Sequence, residues 1–179
     1  MPMLENLTFD EITVGQAASY ARTVTEDDLL LFAAVSGDVN PVHLDEAFAA
    51  GTQFKGRIAH GMYTGGLISA AIAMTLPGPG TIYLGQDLRF ERPVRIGDTI
   101  TVQLTVLEKT DEKKLVKLQT VASNQNGKVV VSGTTRLDVD PDTLTARVCR
   151  GDTLHLFEGD RWSTLTLADL QADRTAVAG

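Results

Sequence analysis

The sequence is poor in cysteine, in positive charge and in long apolar runs. Cys149 is the single cysteine, so no disulfide can form within the chain and a cysteine-based zinc site lacks ligands. That scarcity fits a reducing, cytoplasmic setting. Sixteen Lys and Arg stand against 23 Asp and Glu, a net charge of -7. General nucleic-acid binding, which needs clustered cations on phosphates, is therefore not expected. An anionic ligand held by a few local cations remains compatible with this balance. The longest apolar tract, residues 62–76, is interrupted by Thr64, Gly65, Gly66 and Ser69. It falls short of the ~20 apolar residues that cross a bilayer, so no membrane span is expected. The opening MPMLENLTFDEI carries acids and lacks a cationic start followed by an apolar run, so it does not read as a signal peptide.

The remaining composition, 43% hydrophobic and 22% charged, is that of a soluble globular protein. A chain of 179 residues suits one domain with a short appendage. The expected division is a domain over 1–140 and an extension over 141–179. The extension shows no clear period; within it 164–172 reads as a short helix and the last residues as disordered.

Along the chain, residues 16–24 read as a strand. Thr25 is placed to cap a helix, with Asp28 three residues on as its capping partner. That helix should stop near Gly37. Pro41 fixes its own φ and restricts Asn40, so 38–43 is not expected to be regular helix. A short helix follows over 45–50. Residues 61–76 are apolar on every face, which predicts a buried helix about 24 Å long. Pro77-Gly78-Pro79-Gly80 ends it as a turn; because this segment opens no helix, it is not read as a phosphate loop. From there the period becomes two. Ile82, Leu84, Gln86, Leu88 and Phe90 alternate with their neighbours, as do Ile100–Val106, Val116–Ala122 and Val129–Leu137. Such alternation marks strands with one buried face, and Asn126-Gly127 is a hairpin signal. The simplest assembly is α+β: a curled antiparallel sheet wrapped around the long buried helix.

The chemistry concentrates in residues 35–62, VSGDVNPVHLDEAFAAGTQFKGRIAHGM. Taken singly, each member has a plain reading. Asp38 is a loop or capping residue, His43 a structural hydrogen bonder, His60 a capping or packing residue, and His155 a surface residue. Together they say more. Asp38, Asn40, Pro41 and His43 lie within six residues in a stiffened loop. A carboxylate and an imidazole there can hold one water between them, the pair that proton transfer at neutral pH requires. His60-Gly61 then opens the apolar helix, whose free N–H groups would polarise a carbonyl oxygen.

The runs Ser36-Gly37-Asp38-x-Asn40-Pro41-x-His43, Ala59-His60-Gly61-Met62 and Tyr83-Leu84-Gly85-Gln86-x-Leu88-x-Phe90 resemble the MaoC-like (R)-specific enoyl-CoA hydratases. The likeness runs from about residue 8 to about 139. The form here is especially similar to the N-terminal hydratase domain of bifunctional proteins that also carry a phosphate acetyltransferase half, which this chain lacks. The resemblance implies a hot-dog fold, a homodimer or higher homo-oligomer, and reversible hydration of trans-2-enoyl-CoA to (R)-3-hydroxyacyl-CoA. It implies that Asp38 and His43 activate the water, that Asn40 orients them, and that the Gly61 N–H binds the thioester carbonyl. It places Ser69, Met62 and His60 in substrate binding. It implies no metal and no cofactor, with the CoA thioester as substrate. The phosphates of CoA would need local cations, for which Lys55, Arg57, Arg89, Arg92 and Arg95 are candidates. Three rival readings stand beside it: a 3-hydroxyacyl dehydratase acting on acyl carrier protein, a non-catalytic acyl-CoA-binding or dimerisation module, and a thioesterase.

Overall fold

The computed structural model describes residues 6–139, 149–150, 153–158 and 161–166. Strand β1 (Ala17–Thr23) leads into helix α1 (Glu26–Ser36). The capping box forms as the sequence predicts: the Thr25 hydroxyl accepts from the Asp28 N–H, and the Asp28 carboxylate accepts from the Thr25 N–H at 2.9 Å. These bonds satisfy donors that a helix start leaves free. Gly37 ends α1 with φ +76°, a left-handed conformation that glycine adopts without steric penalty.

The next segment corrects the sequence reading. Pro41 does not keep residues 38–43 out of helix; it opens a single turn, α2 (Pro41–Leu44), at its first position. A proline is tolerated there because the missing N–H would have had no intrahelical partner. Asn40 caps the turn, its side-chain oxygen accepting from the Val42 N–H at 3.2 Å. Asp45 then caps α3 (Glu46–Gly51).

Helix α4 (Gly61–Met74) lies against the concave side of a five-stranded antiparallel sheet made of β1, β2 (Ile82–Phe90), β3 (Thr99–Thr110), β4 (Leu115–Ser123) and β5 (Val129–Asp138). The strand order is β1-β3-β4-β5-β2, so β1 and β2 are the edges and the sheet is curled but not closed. Consecutive strands β3, β4 and β5 form the meander. Between β4 and β5 the Asn124 N–H donates to the Lys128 carbonyl and Gly127 takes φ +69°. The hairpin therefore sits where Asn126-Gly127 signals it, with a longer loop than two residues. Alternate residues Ile100, Val102, Leu104 and Val106, with Val116, Leu118 and Leu137, form the core with Leu67, Ile68, Ala71 and Ile72 of α4. Each buried Val, Leu or Ile among them contributes about 1.5–3 kcal/mol.

Two expectations need revision. Helix α4 is buried on one stripe only, Tyr63, Thr64, Leu67, Ile68, Ala71 and Ile72, while Met62, Gly66, Ser69 and Ala73 face outward. An all-round apolar sequence does not report which side the sheet covers. The second concerns the extension. Cys149–Arg150, Thr153–Glu158 and Arg161–Thr166 form a separate three-stranded antiparallel sheet, β6-β7-β8. Residues 164–166 are thus strand, where a short helix is predicted over 164–172. Glu158 pairs with Arg161, and the intervening Gly159-Asp160 is a dipeptide suited to a two-residue hairpin. The rest of that predicted helix, and the predicted disorder at the end, lie outside the described residues.

Candidate active site

The left-handed Gly37 turns the chain out of α1 and into the segment that carries Asp38. The Asn40 N–H donates to Asp38 Oδ1 at 3.2 Å, while the Asn40 side chain caps α2. One residue thus ties the carboxylate to the helical turn that presents His43. The His43 ring is buried, with Nδ1 2.8 Å from the Ile58 carbonyl oxygen. A carbonyl only accepts, so Nδ1 carries the proton and Nε2 presents a lone pair. That Nε2 lies 3.9 Å from Asp38 Oδ2, too far for a direct hydrogen bond. Two proton acceptors therefore face each other across a gap. The Asp38 side chain is 51% exposed and His43 only 10%, so the pair stands between the interior and solvent.

His60 packs behind this pair. Its ring stacks on His43 with centroids 3.8 Å apart and lies 4.9 Å from Phe32 on another side. Its Nε2 is 2.9 Å from the backbone carbonyl oxygen of Asp38 and donates to it. Gly61 follows as the first residue of α4, with its N–H outside the helical ladder. A cavity of about 330 Å³ opens beside these groups, lined among others by His43, His60, Gly61, Thr64, Phe90 and Arg92. A Cβ placed on Gly61 would lie 3.1 Å from Cε1 of Phe90, so the glycine lets that ring close over the helix start.

Asp38, His43 and His60 each bring one ligand-type atom within 4.8 Å of the others. The two imidazoles are stacked, however, and their in-plane lone pairs do not converge on one point. His60 Nε2 is engaged with the Asp38 carbonyl, which leaves His43 Nε2 and the Asp38 carboxylate as the facing acceptors of the three.

The sequence-predicted residues separate into two places. Asp38, Asn40, His43, His60 and Gly61 come together, with His43, His60 and Gly61 in the cavity wall and Asp38 and Asn40 beside it. Ser69 and Met62 lie on the outward face of α4, outside the cavity lining. Among the five candidate cations, Arg57 is held by Glu26 at 2.8 Å and Glu46 at 3.4 Å. Arg95 donates to the Phe54 carbonyl, and Arg89 lies 3.9 Å from Glu91. Lys55 takes φ +57° away from the lining. Arg92 alone of the five lines the cavity; it donates to the Val129 carbonyl at 2.6 Å and has no carboxylate within ion-pair distance among the described residues. Sequence reasoning missed Thr64, Phe54 and Phe90 as cavity walls. Thr64 carried a signal, since it stands one helical turn from His60, but the two phenylalanines are brought in by tertiary packing.

The curled open sheet laid around α4 is a hot-dog fold. Residues 10–127 match the MaoC like domain family, and the chain belongs to that family. It is 50% identical over 125 residues to an (R)-specific enoyl-CoA hydratase of Rhodospirillum rubrum, covering 70% of this chain and 86% of that protein. It is 40% identical over 155 residues to a 3-hydroxybutyryl-CoA dehydratase of Methylorubrum extorquens, covering 84% and 98%. Among solved structures it is similar to the unliganded R-hydratase PhaJ1 from Pseudomonas aeruginosa, with a TM-score of 0.77 and 52% identity over 90% of this chain and 98% of that one. The likeness to PhaJ1 reaches past residue 139.

Proposed function

We propose that the chain is a hydro-lyase that adds water to trans-2-enoyl-CoA to give (R)-3-hydroxyacyl-CoA, and removes it in reverse. The observation that carries the reading is the pair of facing acceptors, Asp38 Oδ2 and His43 Nε2, 3.9 Å apart. A water between them donates one proton to each and turns its own lone pair outward. The relatives named as hydratase and dehydratase support the same chemistry.

The steps follow from the parts. The Gly61 N–H receives the thioester oxygen at the positive end of α4, which draws electrons from the double bond and leaves carbon 3 electrophilic. The water oxygen bonds to carbon 3 as the dyad takes one proton. Electrons from the carbon–carbon double bond move onto the thioester oxygen. The dyad then returns a proton to carbon 2 and the carbonyl reforms. Water is added and nothing is oxidised, so the reaction calls for no redox cofactor. Asp38 and His43 act as a coupled pair, the proton belonging to the dyad.

Residues 1–140 would form the hydratase domain and 141–179 its appendage, in a soluble cytoplasmic protein; among the described residues no helix is long and apolar enough to cross a membrane. We also propose a homodimer. Edge strand β2 exposes Ile82, Tyr83, Leu84 and Phe90, and α4 turns Met62 outward. Unpaired apolar edges call for a cover, and a second copy would enclose the face that bears Ser69 and Met62. Light scattering should give twice the 19.2 kDa chain mass; a stable monomer at micromolar concentration contradicts it.

The function is tested with crotonyl-CoA and, separately, the acyl carrier protein thioester. Loss of enoyl absorbance with the CoA ester is expected, together with a product that an (S)-specific 3-hydroxyacyl-CoA dehydrogenase leaves untouched. Free CoA release instead would make the protein a thioesterase, and turnover with the carrier protein alone would make it a carrier-linked dehydratase.

A further inference from the structure

We infer that His60 is the positioning residue of the site, holding Asp38, His43 and the Gly61 N–H in one rigid unit without itself touching the reacting atoms. The inference rests on the hydratase reading above and deepens it.

Four observations converge on this side chain. Its Nε2–H donates to the main chain of Asp38 at 2.9 Å, and so anchors the one exposed member of the dyad. Its ring stacks on His43 at 3.8 Å. It lies in the interior at 2% exposure, backed by Phe32 at 4.9 Å, so it cannot swing to follow a moving partner. Finally, its own peptide bond supplies the Gly61 N–H, and its carbonyl accepts from the Tyr63 N–H at 3.1 Å, which fixes the first turn of α4.

The consequence is geometric. His43 has a second anchor in the Ile58 carbonyl, but that bond is a hinge about which the ring can rotate. Apart from His60, Asp38 is held by its own N–H on Ser36 Oγ and by the Asn40 N–H on its carboxylate, both at 3.2 Å, and its side chain is half exposed. Without the His60 ring and donor, the 3.9 Å spacing that lets one water bridge both acceptors from the side is not held rigidly. A misplacement of about 1 Å in such a site costs on the order of 10²-fold in rate. Nδ1 of His60, buried without a hydrogen-bond partner among the described residues, is left as an acceptor, which agrees with Nε2 bearing the proton.

Two substitutions separate the two contacts. His60→Gln keeps a side-chain N–H donor and removes the ring; His60→Phe keeps the ring and removes the donor. His60→Ala removes both. We expect His60→Ala to lower kcat on crotonyl-CoA by about 100-fold with KM little changed. Each single-contact variant should recover part of that loss, and the pH profile of kcat should change shape in His60→Ala but not in His60→Phe. Nitrogen-edited NMR of the free protein reads the same geometry without turnover: the His43 Nδ1 proton should be slow to exchange in the wild type and in His60→Phe, and lost in His60→Ala. A wild type that fails to hydrate crotonyl-CoA sinks the hydratase reading, while the NMR comparison still decides the role of His60. Wild-type kcat and an unchanged His43 signal in folded His60→Ala overturn the inference. So does a loss that tracks melting temperature alone with no rescue by either variant.

Discussion

Gly61 and Phe90 meet closely: a methyl group on the glycine would stand 3.1 Å from Cε1 of the ring, closer than ordinary carbon contact. The contact joins the start of α4 to the end of β2 and sets how wide the cavity opens. Gly61→Ala should fold, because a phenylalanine ring can yield a few tenths of an ångström, but the ring then moves toward the thioester site. The expected loss in kcat/KM is roughly tenfold, about 1.4 kcal/mol of transition-state stabilisation. Wild-type kinetics in the folded variant would show that Phe90 does not shape the site.

Asp38→Asn and His43→Ala should each remove most of the activity. General acid–base groups contribute roughly 10²–10⁴-fold, and Asn in place of Asp38 supplies a donor and an acceptor but no base. Circular dichroism should stay native in Asp38→Asn, since that side chain is half exposed. Near-wild-type turnover by folded Asp38→Asn would refute the mechanism.

Arg92 is the cavity-lining guanidinium with no acid partner among the described residues, and it should contact a phosphate of the CoA carrier. Arg92→Ala is expected to raise KM for crotonyl-CoA several-fold, by the loss of a charge-assisted hydrogen bond. Crotonyl-N-acetylcysteamine, which has the thioester but no phosphate, should be turned over equally by both proteins. An equal KM rise on both thioesters would assign Arg92 to cavity shape instead.

The Arg22–Asp28 pair, 2.5 Å apart, predicts an acid limb to stability. Burial alone would raise the Asp28 carboxyl, but hydrogen bonds from the Thr25 N–H, the Thr25 hydroxyl and Arg22 outweigh it and hold the group below its ordinary value. A depressed carboxyl gives stability that is present above its unfolded pKa, about 4, and is lost as pH falls through the folded value. Urea midpoints should therefore drop as pH is lowered below about 4. Asp28→Asn, which removes the titration, should be less stable at neutral pH and flatter across the acid range. A wild type and variant with parallel pH curves would remove Asp28 from the account.

Much of this was legible in the sequence where local chemistry decides. Thr25 with Asp28, Gly37 after the helix and the alternation through β3 to β5 each need only neighbours within a few residues. The Asp38–His43 spacing was legible for the same reason, since a stiff loop and one helical turn set it. Pro41 misled because its effect depends on position: the same ring that breaks a helix interior opens a helix start. The apolar α4 gave its burial but not its orientation, which the sheet decides from strands at distant positions. Phe54 reaches the cavity by long-range packing and carries no local mark; Phe90 stands in a motif and Arg92 among five candidate cations, but only tertiary packing shows that both line the cavity. Strands β6 to β8 are too short for a period to register.

The exposed length of β2 has a meaning for assay practice. This strand is at once the uncovered margin of the sheet and, through Phe90, a wall of the cavity. If a second copy seats on it, catalysis is linked to association by mass action. Turnover per molecule should then decline on dilution, with a midpoint near the dissociation constant of the pair, and should return on concentration. A rate strictly proportional to enzyme from micromolar to picomolar would mean either an extremely tight pair or a wall that stands unaided, and sedimentation at the same concentrations separates the two.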